Sequence, residues 1–426
     1  MKDIKRYNKY KWMALLGFSV MYNFVYVGRF NVTNLMLKIS DTANITVNEQ
    51  SIIAAAVLFS YALGSMINGI LSDKYGGKKM ILIGGCVSIY ANMATVMASS
   101  WQCILLLQTV NGFFQSMIWV GGISMLAQWL PPKERGMGVG IANFFSGLSH
   151  VTASLLPALF VTLMPGLSWK GQVVFPMYAW GILLIIFCII AAAAPERKGL
   201  TPYRLSGQDK RHEKKANALA GNARGGLLFF KENKSFFVWC AIALLSSFCR
   251  YGLLNWIPAY FHADTGTLLL SNNFLDFTLP FGMALGTLVI TWLGGTKFSK
   301  NKGLVIVWAS ALCGTLIIVF PMVELDRAVL MGIFFSGFFL YGINGMLWLY
   351  AIEAGGRYFS GTIAGFLNGA AYLGATLESF IFPAVIKASH SMLSVFVVME
   401  VICIAMIICG IIVSKKNTVA EPEVRE

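Results

Sequence analysis

The chain has 426 residues, of which 57% are hydrophobic and 12% charged, about half the charged share of a soluble domain. The formal net charge is +14. These figures exclude disorder, a collagen-like fibre and a disulfide-stapled scaffold; because the chain between its charges is apolar, they also exclude a nucleic-acid binder.

A helix needs about 20 apolar residues to span a bilayer, and about twelve such runs follow one another along the chain. Their centres fall near Met21, Ala62, Ser88, Phe114, Ser149 and Ile182, then near Phe248, Gly282, Ala311, Leu340, Ala371 and Met406. The expected fold is an all-α membrane protein with twelve transmembrane helices in two six-helix bundles. The first run follows a basic start with no small-residue cleavage site behind it, so it is expected to stay as a span. Residues 1–195 are expected to form the N-terminal bundle and 236–426 the C-terminal one. Between them, 196–235 reads as a basic cytoplasmic linker that tethers the halves.

Charge placement sets the orientation. With both termini on the cytoplasmic side, 27 of the 33 lysines and arginines fall on that side or in the linker. Lys38, Lys170, Arg327 and Lys387 fall opposite, as the positive-inside rule requires. Arg29 and Arg250 lie inside spans. The eight cysteines sit in apolar runs without a C-x-x-C pair and read as small hydrophobes, not as a metal or disulfide framework.

The halves look like a repeat. Each opens with a span carrying one arginine. The turn Ser72-Asp73-Lys74-Tyr75-Gly76-Gly77-Lys78-Lys79 in the first half is matched by Thr296-Lys297-Phe298-Ser299-Lys300-Asn301-Lys302 in the second. A six-plus-six parallel repeat is an organisation used by secondary transporters.

An arginine at mid-span costs about 2.5–3.5 kcal/mol on insertion scales, so each needs a partner or a water-filled cavity. Neither Arg29 nor Arg250 has an acid within two turns on its own span. A guanidinium keeps its proton and offers a planar fork of donors suited to phosphate or carboxylate. One arginine from each half is therefore expected at a shared anion site. Tyr22, Tyr26 and Trp119 in the first half, and Tyr251 and Asn255 in the second, are its expected neighbours. Asp276 and Glu378 are the better-placed acids within spans and the candidates for proton coupling; Glu400 is also inside a span. His150 reads as a packing residue. Asp73 is expected to stabilise a gate by capping a helix, not to bind substrate. No phosphate loop, metal spacing or nucleophile–base set appears, so neither an enzyme nor a cofactor is expected.

These residues resemble the organophosphate:inorganic-phosphate antiporters of the major facilitator superfamily, which include glycerol-3-phosphate and hexose-phosphate transporters. The likeness rests on Tyr22, Tyr26, Arg29 and Asn31, and on Asn111-Gly112-Phe113-Phe114-Gln115 with Trp119. It rests further on Lys133-Glu134-Arg135-Gly136, on Glu353 with Gly361-Thr362-Ile363-Ala364-Gly365-Phe366, and on Tyr372-Leu373-Gly374. Its most specific match is Arg250-Tyr251-Gly252-Leu253-Leu254-Asn255-Trp256-Ile257-Pro258-Ala259-Tyr260. The resemblance implies the major facilitator fold and a phosphate grip made by Arg29 and Arg250. It also shows departures. Ser65 stands where several members have a second-span lysine. Ser146 stands where they have a fifth-span histidine, with His150 one turn later, and Val120 where a proline is usual.

The expected function is exchange of a small organic phosphate ester for inorganic phosphate by alternating access, in a monomer of the inner membrane. The alternatives are a proton-coupled symporter of a sugar acid or other organic anion, and a sugar-phosphate membrane sensor.

Overall fold

The computed structural model describes residues 2–36, 39, 45–193, 230, 233–264, 272–323 and 326–418. Most of the expected linker, at 196–229, and the segment after 418 lie outside the described residues. The long elements among the described residues are α-helices: α1 (Lys2–Asn23), α2 (Val25–Asn34), α3 (Val47–Tyr75), α4 (Gly77–Thr95), α5 (Trp101–Trp129), α6 (Arg135–Leu163) and α7 (Trp169–Ala193). They continue with α8 (Ser235–Asp264), α9 (Asn272–Gly295), α10 (Lys302–Val319), α11 (Asp326–Ser389) and α12 (Leu393–Thr418). In lipid a helix satisfies its own backbone polar groups, which is why apolar runs of this length take no other form.

Helix starts follow from local chemistry. Thr46 caps α3 reciprocally with Glu49, Ser100 caps α5, and Asn301 caps α10. Ten helical stretches among the described residues are long and apolar enough to cross a membrane. One of them, Arg327–Ser389, is broken at Gly356, whose φ of 56° and ψ of −143° suit a glycine alone, so α11 supplies two spans. The 19 residues of α4 add a further helix about 28 Å long. The first span is itself divided: α1 ends at Asn23 and α2 begins at Val25. Phe24 N–H donates to the Met21 carbonyl at 3.1 Å, three residues back, in place of a regular α-helical bond. Large side chains left exposed, such as Leu106, Ile185, Ile189, Val401 and Ile408, suit a surface wetted by acyl chains.

The helices fall into two compact units. The first holds α1 to α5, α6 from Leu148 onward, α7 and the stretch Tyr350–Gly369 of α11. Within it α5 packs against both α3 and α4, and α7 against α1 and α4. The second holds the start of α6 to Gly147, α8 to α10, the remainder of α11, and α12. Within it α12 packs against α10 and α8.

Candidate functional site: two buried arginine clusters

In the first unit the break at Phe24 falls just ahead of Tyr26 and Arg29, so α2 presents both side chains into the helix packing. Arg29 is buried, and its Nε donates to Gln115 Oε1 of α5 at 2.7 Å. Gln115 is itself fixed: its amide nitrogen donates to the Val25 carbonyl at 3.2 Å and to Ser88 Oγ at 3.4 Å. The guanidinium carbon lies 4.5 Å from the Tyr26 ring centroid and 4.2 Å from that of Tyr61 on α3. Cation–π contact and the amide bond together offset the desolvation of the charge. Tyr26 packs against His150 at 4.6 Å, edge to face, and His150 also meets Phe30 at 5.6 Å. Tyr22 packs on Trp119 at 4.6 Å. Of the expected first-unit residues, Tyr26 touches the arginine directly, whereas Tyr22 and Trp119 form an adjoining aromatic pair.

The second unit repeats the theme. Arg250 of α8 is buried, with its guanidinium carbon 4.6 Å from the Tyr251 ring centroid and 5.3 Å from that of Tyr341 on α11. Nη2 donates to Ser247 Oγ at 3.2 Å and Nη1 to Tyr341 Oη at 3.5 Å. The Tyr341 hydroxyl also lies 3.2 Å from Ser146 Oγ. Asn255 does not meet Arg250 in these contacts. It donates to Glu378 Oε2 at 3.2 Å, while Trp256 Nε1 donates to Oε1 at 2.7 Å. Glu378 is almost fully buried, and Ser379 Oγ adds a donor at 3.5 Å. Asp276 lies on α9, and its side chain falls outside the described residues.

Asp73 occupies the last turn of α3, which is helical where a turn was expected from its Gly-Gly-Lys surroundings. Its Oδ1 accepts from Gly361 N–H at 2.9 Å and Ser124 Oγ at 3.2 Å. Oδ2 accepts from Thr362 N–H at 2.6 Å and Thr362 Oγ1 at 2.7 Å. The carboxylate thus binds α11 just past the Gly356 break, near the positive end of that arm.

Tyr61, Tyr341 and Ser247 escaped the sequence analysis, which had singled out Gln115 beside Trp119 without tying it to Arg29. Nothing in the spacing of Tyr61 or Tyr341 links either residue to an arginine on another helix.

The description "Major Facilitator Superfamily" matches residues 18–379 of the sequence. The chain belongs to the major facilitator superfamily. Among proteins that this superfamily member is similar to, the "Glycerol-3-phosphate transporter" of Bacillus subtilis is 24% identical, over 87% of this chain and 84% of that protein. The "Probable hexose phosphate transport protein" of Chlamydia pneumoniae is also 24% identical, over 88% of this chain and 85% of that protein. Among solved structures, the transporter FucP in its outward conformation matches with a TM-score of 0.70 at 14% identity, covering 94% of this chain and 98% of that chain. That likeness shows the fold alone: the protein is a multi-pass all-α membrane protein with the major facilitator fold, and the resemblance to organophosphate transporters holds across most of its length.

Proposed function

We propose that this superfamily member exchanges a small organic phosphate ester, of a sugar or glycerol, for inorganic phosphate by alternating access. The observation that carries this reading is the pair of buried arginines, one in each unit, whose faces are stacked on tyrosines. Such stacking covers the guanidinium faces and favours in-plane recognition of an oxyanion. The relatives that transport glycerol 3-phosphate and hexose phosphate support the same substrate class. In this reading Arg29 and Arg250 bind the phosphate group, Tyr26 and Tyr251 hold them in place, and Asp73 ties the gate. Tyr22, Trp119 and Asn255 shape the surroundings. Phosphate is the counter-substrate, and the protein works as a monomer in the inner membrane with both termini cytoplasmic.

The test is counterflow in proteoliposomes. Vesicles loaded with inorganic phosphate should take up glycerol 3-phosphate or a hexose phosphate without an imposed pH gradient. Uptake that ignores internal phosphate and requires an inward proton gradient would replace exchange with proton-coupled anion symport. Specific binding without any uptake would favour the sensor. Topology has its own check: reporters near Gly207 and after Glu426 should both read cytoplasm, as the basic-residue census demands.

A further inference from the structure

The arginine cluster of the first unit is wired to the Asp73 contact along one helix face. Tyr61, Ser65, Gly69 and Asp73 are spaced four apart on α3 and so share that face. Opposite them, in the same unit, run Gly361, Thr362, Gly365, Asn368 and Gly369 of α11. At one end Asp73 accepts the Gly361 and Thr362 amides. In the middle the two backbones pass so closely that a Cβ on Gly69 would collide with the Gly361 carbonyl oxygen. At the other end a single side-chain amide closes the seam: Asn368 Nδ2 donates to Ser65 Oγ at 3.1 Å and to Tyr61 Oη at 3.4 Å. Ser65 Oγ in turn donates to the Tyr61 carbonyl at 2.8 Å. The Tyr61 ring, held this way, is the one stacked 4.2 Å from Arg29.

We propose that Asn368 is a positioning residue that couples anion binding at Arg29 to the α3–α11 seam. The inference rests on the reading of Arg29 as a phosphate-binding residue. An anion that draws on the Arg29 fork acts on a guanidinium sandwiched by Tyr61. The Tyr61 hydroxyl shares one amide donor with the seam, so a shift of the ring is felt at Asn368 and then along the Gly69–Gly365 crossing to Asp73. Coupling is reciprocal: if phosphate biases the seam, the state of the seam biases phosphate affinity by the same factor. Asn368 does this without touching the anion. Its neighbours Tyr61 and Ser65 are neutral, so the connection works through hydrogen-bond register rather than charge.

The experiment separates binding from transmission. Asn368→Leu keeps the number and branching of the heavy atoms and removes the shared donor at the cost of some bulk; Asn368→Ala guards against overpacking. Phosphate binding, phosphate–phosphate exchange and hydrogen exchange at the Gly361 and Thr362 amides would be measured on the reconstituted full chain. In the wild type, phosphate should alter hydrogen exchange at those two amides. In both variants phosphate should still bind within about threefold of wild type, while exchange falls about tenfold, a typical coupling between linked sites. In both variants, too, phosphate should no longer change the seam amides. Wild-type exchange with a phosphate-responsive seam in Asn368→Leu would overturn the inference. So would binding and exchange that fall in parallel, because that marks damage to the site itself. Wild-type phosphate binding with an unresponsive seam would sink this inference alone, whereas a wild type that binds no phosphate would sink the exchange reading and this inference with it.

Discussion

Arg29 and Arg250 are held by the same kind of cradle at different tightness. Arg29 takes one stacking ring from its own helix and one from α3, and its Nε is pinned at 2.7 Å by Gln115, which is bonded in turn to α2 and α4. Arg250 leans on Ser247 of its own helix at 3.2 Å and reaches Tyr341 at 3.5 Å, with its rings at 4.6 Å and 5.3 Å. A side chain fixed from several helices loses little freedom when it binds, whereas one fixed mainly by its own helix can follow its ligand. If both arginines grip the anion as proposed, these contacts would make Arg29 a stiff seat and Arg250 an adjustable clasp.

The strongest way to break the comparison is to remove the planar fork. Arg29→Lys and Arg250→Lys should each lower phosphate exchange by about a hundredfold or more, the loss of about two charge-assisted hydrogen bonds, while the protein still inserts. Lysine keeps the charge, so near-normal exchange in both variants would mean the arginines are structural. The next test goes to the pins. Gln115→Leu should weaken phosphate affinity about tenfold and Ser247→Ala about threefold, because a bond to a charged group, once removed, leaves more undone when its partner was held on several sides. Equal effects in an equilibrium binding measurement would erase the distinction between seat and clasp. Smaller still is the stacking term: Tyr61→Leu should cost about fivefold in affinity and Tyr251→Leu less, in line with the closer ring at Arg29. The opposite order would place the tighter cradle at Arg250.

How much of this could be seen in the sequence depended on whether a feature is local. Apolar runs, mid-span arginines and the basic stretches are properties of short windows, so the all-helical membrane fold and both arginines were legible. Asp73 stood out for its setting, although its helical position and its hold on Gly361 and Thr362 come from packing between segments far apart in sequence. The break at Phe24 carries neither proline nor glycine at that position and has no local signature. Tyr61, Tyr341 and Asn368 looked like ordinary residues of spans, because ring stacking and a shared amide exist only once separate helices meet. Asn255 drew attention for following Arg250, yet its partner proved to be Glu378.

That pairing is the last asymmetry between the clusters, and the smallest expected effect tests it. The helix that carries Arg250 is tied to α11 through a carboxylate, whereas the bonds that run from Arg29 through Gln115 to Ser88 are made with neutral side chains. Glu378 accepts from an indole, an amide and a hydroxyl, a donor set that suits a fixed acceptor holding Trp256 and Asn255 in place. A residue with that job need not carry a proton through the cycle. Glu378→Gln keeps the shape, keeps one acceptor for the indole and presents its NH2 to an Asn255 amide that can turn its oxygen inward, but it cannot titrate. Exchange driven by internal phosphate should therefore stay within about threefold of wild type, the scale of one altered hydrogen bond, and should need no pH gradient. If uptake in the wild type instead follows an inward proton gradient and vanishes in Glu378→Gln, the carboxylate is the coupling group. The difference between the two clusters would then be one between a binding site and a proton site, and no longer one between a stiff seat and a clasp.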